Sequence, residues 1–173
     1  KKEAFCIKNL IRETFDQIEG EASKKSISLH FKDPIPNKKL IVIADYYRIY
    51  QVLKNLISNA IKYSSTHTSI YVNAKKRKKV VTVSVKDKGK GIPKNDRKRI
   101  FERFYRIDKS RSKSKGGTGL GLAIAKHIIE GHNTKMKLKS EVNFGSTFYF
   151  NLKLAPVLDK NKKIKKKSFS LTN

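Results

Sequence analysis

The 173-residue sequence has no tryptophan, one methionine and one cysteine. Cys6 therefore has no partner within the chain, an internal disulfide is excluded, and so scant a cysteine content suits a reducing compartment. No apolar run approaches the ~20 residues that a membrane-spanning helix needs. The N-terminal stretch has neither the apolar segment nor the small-residue cleavage site of a secretory signal. The first residue is Lys rather than Met, which is expected of a fragment excised from a longer protein. The four histidines, His30, His67, His127 and His132, form no cluster with Cys or carboxylates, so a zinc site is not expected. No serine stands in a nucleophile elbow, and nucleophilic hydrolysis finds no support. Acidic residues are scarce: 14 Asp and Glu against 41 Lys and Arg give a formal net charge of +27. Such a charge suits a polyanionic partner. It suits equally a compositional bias toward Lys dispersed over a solvated surface. The bias is the better account, because Lys is spread over every segment and the longest basic stretch, Lys160 to Lys167, lies outside the expected core. No specific nucleic-acid partner is expected.

What is present is one domain's worth of periodic sequence. Residues 3–24 carry Phe5, Ile7, Leu10, Ile11, Phe15, Ile18 and Ala22 at helical spacing. Ile27, Leu29 and Phe31 alternate as a strand that Pro34 and Pro36 end. Leu40 to Ile43 is a short apolar strand. Asp45 is placed to cap a helix whose stripe is Ile49, Val52, Leu53, Leu56, Ile57, Ala60 and Ile61. Ser69 to Ala74 and Val80 to Val85 pair through a basic turn, Lys75 to Lys79. Asn95 to Phe104 is expected to be a short helix, and Tyr105 to Gly117, basic and without apolar period, a mobile loop. A helix over Ala123 to His132 and strands at Met136–Ser140 and Thr147–Leu154 complete the domain, taken as residues 1–155. The Lys-rich tail, 156–173, has little to bury and is expected to lack fixed structure.

Three segments carry chemistry. Asn55, Asn59 and Lys62 fall beside the apolar stripe of one helix, with Tyr63 next to them; a carboxamide oxygen suits Mg²⁺, and Lys62 could meet a phosphate as a point charge. Asp87-Lys88-Gly89-Lys90-Gly91-Ile92 follows a strand, where a fixed carboxylate could accept from an exocyclic amine beside a tight turn. Gly116-Gly117-Thr118-Gly119-Leu120-Gly121-Leu122 opens into a helix, where free amides and the helix dipole favour phosphate. Each has a plain alternative: a wet helix face, a common turn after a strand, a flexible hinge. The glycine string is no P-loop, lacking Gly-Lys-Ser/Thr, and lacks the third Gly of a dinucleotide fingerprint.

Order joins the segments. Asp45 to Tyr63 resembles the N box of bacterial sensor histidine kinases. Asp87 to Pro93 resembles their first glycine box, Ile100 to Arg106 their F box, Gly117 to Ala123 their second glycine box, and Gly145-Ser146-Thr147-Phe148-x-Phe150 their closing strand. The resemblance covers roughly residues 3–154. It implies the ATP-binding fold shared with gyrase and MutL, an α/β two-layer sandwich with a mixed β-sheet and helices packed on one face. It implies ATP between the N-box helix and the glycine boxes, under a lid over about residues 94–117. By matching motifs, Asn59 binds Mg²⁺ with Asn55 near it, Lys62 and Arg106 approach phosphates, and Tyr63 packs near the nucleoside. Asp87 reads adenine beside Gly89, Gly91 and Ile92. Phe104 anchors the lid base with Phe101. Gly117, Thr118, Gly119, Leu120, Gly121 and Leu122 form the phosphate loop, and Thr147 supports the adenine end through Asp87.

The gyrase-type ATPases of that fold carry Glu where Asn55 stands. Asn cannot act as a base, so transfer to a protein histidine is expected rather than motor hydrolysis. The F box argues likewise against an anti-sigma-factor-like ATPase. Where the family has His-Gly-Gly, this chain has His132-Asn133-Thr134, and Asn can still end a helix in the left-handed region. No histidine has the phosphoacceptor context. The expected partners are therefore a histidine-bearing dimerisation domain of a homodimeric parent and a response regulator. The domain is expected in the cytoplasm and its parent at the inner membrane.

Overall fold

The computed structural model describes residues 1–36, 38–107 and 118–156. The stretch 108–117, which includes Gly117, and the tail from residue 157 lie outside the described residues. Among the described residues seven strands form one mixed sheet: β1 (Glu3–Cys6), β2 (Ser28–Lys32), β3 (Ile41–Ala44), β4 (Ser69–Arg77), β5 (Val80–Lys86), β6 (Lys137–Glu141) and β7 (Gly145–Leu154). The order is β1-β3-β7-β5-β4-β2, with β6 on the other half of the β7 edge that β3 uses. Of these pairings only β2 with β4 is parallel. The helices α1 (Ile7–Ser23), α2 (Tyr46–Tyr63) and α3 (Gly121–Gly131) pack on one face.

Period two explains the sheet's two faces. Ile70, Val72 and Ala74 of β4, Val81, Val83 and Val85 of β5, and Phe148, Phe150 and Leu152 of β7 are buried under the helices. The alternate residues, among them Tyr71, Asn73, Thr82, Ser84, Tyr149 and Asn151, lie on the open face. Thr82 Oγ1 donates to Asn151 Oδ1 across it at 2.8 Å. The stripe of α2 is buried throughout, and each fully buried Leu or Ile there contributes roughly 1.5–3 kcal/mol.

Asp45 caps α2 as expected, its Oδ1 accepting from the Arg48 amide at 3.1 Å. The other end of α2 has a cap that its own sequence does not announce. Lys25 Nζ donates to the carbonyls of Ile61, Lys62 and Ser64 at 2.6, 3.1 and 2.8 Å. Asn133, at φ +58°, ends α3 in the left-handed region.

Three boundaries differ from the sequence reading. Residues 3–6 are a strand, because their backbone pairs with β3 (Ala4 with Ile43, Phe5 with Val42) before the helix begins. The stretch from Asn95 to Phe104 is two 3₁₀ turns, Lys94–Asp96 and Arg99–Phe101, rather than one helix. The basic turn of the β4–β5 hairpin is two residues, Lys78 and Lys79, because β4 continues to Arg77.

Lys8 is buried on α1, and its ammonium pairs with Asp33 Oδ1 at 2.7 Å while also donating to the Ile35 carbonyl. Arg12 stands 3.7 Å from the other Asp33 oxygen. Burial opposes ionisation of Asp33, but the hydrogen bonds from Lys8 and the Ile35 amide, with the Lys8 and Arg12 charges, hold its carboxyl below the ordinary value. A lowered folded pKa makes this contribution present above the unfolded value and lost as pH falls through the folded one. Asp33→Asn should cost about 3 kcal/mol in urea unfolding at neutral pH, since it strands a buried ammonium. The deficit should shrink as pH falls below about 4. Gly20 lies inside α1, where a Cβ would meet nothing within 4 Å. Its substitution by Ala should stabilise the domain by about 0.5–1 kcal/mol in the same unfolding measurement.

Candidate nucleotide site

The site lies where β5 ends, β7 begins and α2 closes. Asp87 follows β5 and is buried. Its Oδ1 accepts from the amides of Gly89 (2.8 Å) and Ser146 (3.2 Å), and its own amide donates to the Ser146 carbonyl at 2.9 Å. Oδ2 has no hydrogen-bond partner among the described residues. Burial raises the Asp87 carboxyl above its ordinary value, against the two amides, which lower it. The result is an oriented acceptor with one oxygen unclaimed. On the open-face side of this junction, away from the helices, a hollow of about 250 Å³ is lined by residues that include Ser140, Phe144, Gly145 and Thr147.

Gly145 makes this junction possible. It has φ +102°, and a Cβ there would stand 2.2 Å from the Asp87 carbonyl. Gly89 lies against the Tyr63 carbonyl at the end of α2, and Gly91 against the Glu141 carbonyl of the β6–β7 hairpin. The Ile92 amide donates to Ser140 Oγ at 2.8 Å, and Ser140 Oγ is 2.8 Å from Ser146 Oγ. The first glycine box is thereby fixed to α2 on one side and to the hairpin on the other.

The helix supplies the second group. Asn55 Nδ2 donates to the Gly121 carbonyl at 3.1 Å, tying α2 to the start of α3. The Asn59 carboxamide, one turn on and half-buried, has no hydrogen-bond partner among the described residues. Burial and the positive charge of Arg106 both lower the pKa of Lys62, so these two cations face one region. Lys62 Nζ lies 5.4 Å from the centre of the Tyr63 ring. Thr118, Gly119 and Leu120 donate their amides to no acceptor among the described residues, just ahead of α3. Leu122 packs half-buried on the core.

Asn55, Asn59, Lys62 and Tyr63 thus share the C-terminal half of α2, whose end Gly89 touches beside Asp87; Gly91 and Ile92 lie against the β6–β7 hairpin, and the loop before α3 is held to α2 through Gly121. Two expectations are corrected. Thr147 does not reach Asp87 from the helix side; it pairs with Lys86 and Lys139 on the open face, and its neighbour Ser146 makes the contact. Strand alternation, with Phe148, Phe150 and Leu152 inward, turns Thr147 outward, and the Ser146 contact is made by its main-chain amide. Phe104 does not anchor the lid base by packing: it is 70% exposed at φ +63°. Its amide donates instead to the Gly119 carbonyl at 3.1 Å, and Gly119, at φ +72°, leaves room for the Phe104 backbone. Ile100, buried, and Phe101, edge-on to Phe148 at 6.2 Å between ring centres, do the packing.

No cluster of His, Cys, Asp and Glu that could hold a metal occurs among the described residues. A larger open hollow, about 730 Å³ at the β4–β5 turn, is lined by Lys76 to Val80 and offers no carboxylate or carboxamide. No helix among the described residues is long and apolar enough to cross a membrane.

Residues 44–156 match the family described as histidine kinase-, DNA gyrase B-, and HSP90-like ATPase. The chain is 37% identical over 150 residues to the sensor-like histidine kinase SenX3 of Mycolicibacterium smegmatis, covering 87% of this chain and 38% of that protein. It is 42% identical over 130 residues to the sensor histidine kinase WalK of Bacillus subtilis, covering 74% of this chain and 21% of that one. The solved catalytic domain of histidine kinase ThkA superposes with a TM-score of 0.77 at 33% identity, covering 88% of this chain and 95% of that domain. The chain thus spans well under half the length of these curated relatives.

Substituting Gly145 by Ala should destabilise the domain by more than about 2 kcal/mol, because both the backbone angle and the Asp87 carbonyl oppose a side chain. Gly131→Ala, where a Cβ meets nothing within 4 Å, serves as the matched control and should not. Thermal unfolding of the two variants checks the pair.

Proposed function

This chain belongs to the histidine kinase-, DNA gyrase B-, and HSP90-like ATPase family, in the form found in sensor histidine kinases, and from that premise we propose how its residues act. Residues 1–155 bind ATP with Mg²⁺ at the end of α2. The γ-phosphoryl group then passes to a histidine on a dimerisation module outside this chain. A ring nitrogen attacks Pγ, the bond to the β–γ bridging oxygen breaks, and ADP leaves as the imidazole gives up its N–H proton. Transfer of this kind needs positioning and charge neutralisation more than covalent help from the protein.

The observation that carries the reading is the spacing of complementary groups around one helix end. The unclaimed oxygen of Asp87 suits the adenine amine, while Lys62 and Arg106 face the region where phosphates would lie. Tyr63, Gly89, Gly91 and Ile92 line the nucleoside side. Thr118, Gly119, Leu120, Gly121 and Leu122, with Gly117, form the phosphate loop; Phe104 and Thr147 flank the site rather than enter it. The unpartnered carboxamide of Asn59 fits a hard cation that keeps most of its water and nucleotide ligands. Mg²⁺ would screen the phosphate charge. Asn55, committed to Gly121 and unable to take a proton, gives water no general base on α2. That favours phosphorylation of a histidine over turnover by hydrolysis.

On this reading the domain is cytoplasmic, the parent is a homodimer at the bacterial inner membrane, and the phosphoryl group is relayed to a response regulator. Asp87→Asn should weaken ATP at least tenfold in calorimetry, about 1.4 kcal/mol, because one carboxylate acceptor becomes a donor. Asn59→Ala should abolish most of the difference in affinity between Mg²⁺-containing and Mg²⁺-free buffer. With radiolabelled ATP the chain should not label itself. It should label, in trans, a histidine-bearing dimerisation module of its own parent, and the product should be acid-labile and base-stable. ATP binding without any such transfer would leave a nucleotide-binding domain and refute the kinase reading.

A further inference from the structure

The fold sorts charge in a way that linear sequence conceals. The strands β2, β4, β5, β6 and β7 contain a single acidic residue, Glu141 at the end of β6. The acids of the helical layer include Glu13, Asp16, Glu19 and Glu21 on α1 and Glu130 on α3. The ladder registers align the open face in rows: His30-Tyr71-Lys86-Thr147-Lys139, then Lys32-Asn73-Ser84-Tyr149-Lys137, with Lys75, Arg77 and Lys153 on the rows beyond. The side chains of Lys32, Lys75, Arg77, Lys86, Lys137, Lys139 and Lys153 are all exposed. Strand spacing and rise make this face roughly 20 Å by 20 Å.

At one end of the same face stands the β6–β7 turn. Phe144 is 73% exposed and Val142 47% exposed. Phe144 lines the cleft that also holds Lys86, Lys139 and Thr147, so the apolar tip adjoins the lysines.

We propose that the open sheet face and the Val142–Phe144 tip form a docking surface for an anionic lipid bilayer, distinct from the nucleotide site on the helix side. Charge complementarity selects an anionic partner, and two exposed apolar side chains at the rim suit the interfacial layer, where they would be removed from water. A single-stranded nucleic acid fits less well. Base recognition on a sheet needs open aromatic faces. Here Tyr71 is stacked on His30 at 5.1 Å and carries Lys32 Nζ at 4.6 Å, and Lys139 Nζ lies 6.0 Å from the Tyr149 ring. Lysines rather than arginines also favour dispersed headgroup charges over bidentate phosphate recognition.

Vesicle co-sedimentation of the full chain tests this, using phosphatidylcholine vesicles with or without about 30% phosphatidylglycerol at about 0.1 M salt. Binding should require the anionic lipid. Reversing Lys137, Lys139 and Lys153 to Glu should weaken it at least tenfold, while the same charge change at Lys2, Lys24 and Lys54, away from this face, should weaken it less than about threefold. Phe144→Ser should lower the binding that remains at higher salt, where electrostatics are screened. Circular dichroism and ATP affinity, unchanged in all variants, verify the fold. Equal losses in the two triple variants would overturn the proposal, reducing the effect to net charge. So would tight binding of a single-stranded oligonucleotide at physiological salt without vesicle binding.

Discussion

Everything at the site depends on a buried carboxylate held by backbone. Asp87 is out of water, and a charge there survives only because two amides converge on one of its oxygens. Those amides come from opposite directions, Gly89 from its own turn and Ser146 from the start of β7, so the carboxylate is also the joint between two sheet strands. The joint tolerates no side chain at Gly145. Position, orientation and the unclaimed second oxygen of Asp87 among the described residues thus follow from one constraint.

The helix α2 extends that joint toward the start of α3. Its apolar stripe fixes its rotation on the sheet, which in turn keeps Asn55, Asn59 and Lys62 off the core face. Its C-terminus is held by Lys25 from another segment and touched by Gly89 through the Tyr63 carbonyl. Asn55 then reaches Gly121, so the loop before α3 is set relative to the same helix. A rigid helix between a fixed acceptor and a tethered loop holds both in one frame. Lys62, near the end of that helix, feels both its burial and the charge of Arg106.

One sheet serves two faces with different physics. Under the helices it is a dry core of Val, Ile and Phe; on the open side it is polar, aromatic and basic. The separation needs no special device beyond period-two alternation in strands whose outward charged positions, Glu141 apart, hold Lys or Arg. The acidic residues that remain are mostly drawn to helices, caps and turns: Asp45 to an N-cap, Asp33 to Lys8, Asp96 to the Tyr105 hydroxyl at 2.5 Å.

Much of this was legible in the residues. The stripe of α2, the alternation of β5 and β7, the Asp45 cap and the order of the glycine boxes are local patterns, and each depends on spacing that a one-dimensional string preserves. They are enough to name the layers of the fold and most of the residues at the end of α2. Other features needed the tertiary structure, because they are made by segments distant in the chain. Residues 3–6 became a strand only through β3. Lys25 became a helix cap only where the chain returned to α2. Ser146 rather than Thr147 met Asp87 because the contact is made by main-chain groups, the Ser146 amide and carbonyl, where the start of β7 returns beside the end of β5. Phe104, apolar and expected to pack at the lid base, was turned outward where its amide bonds to the Gly119 carbonyl. Lysines that look evenly scattered along the sequence were gathered onto one face by strand pairing, since a residue's neighbours across a sheet are chosen by hydrogen-bond register and not by position in the chain.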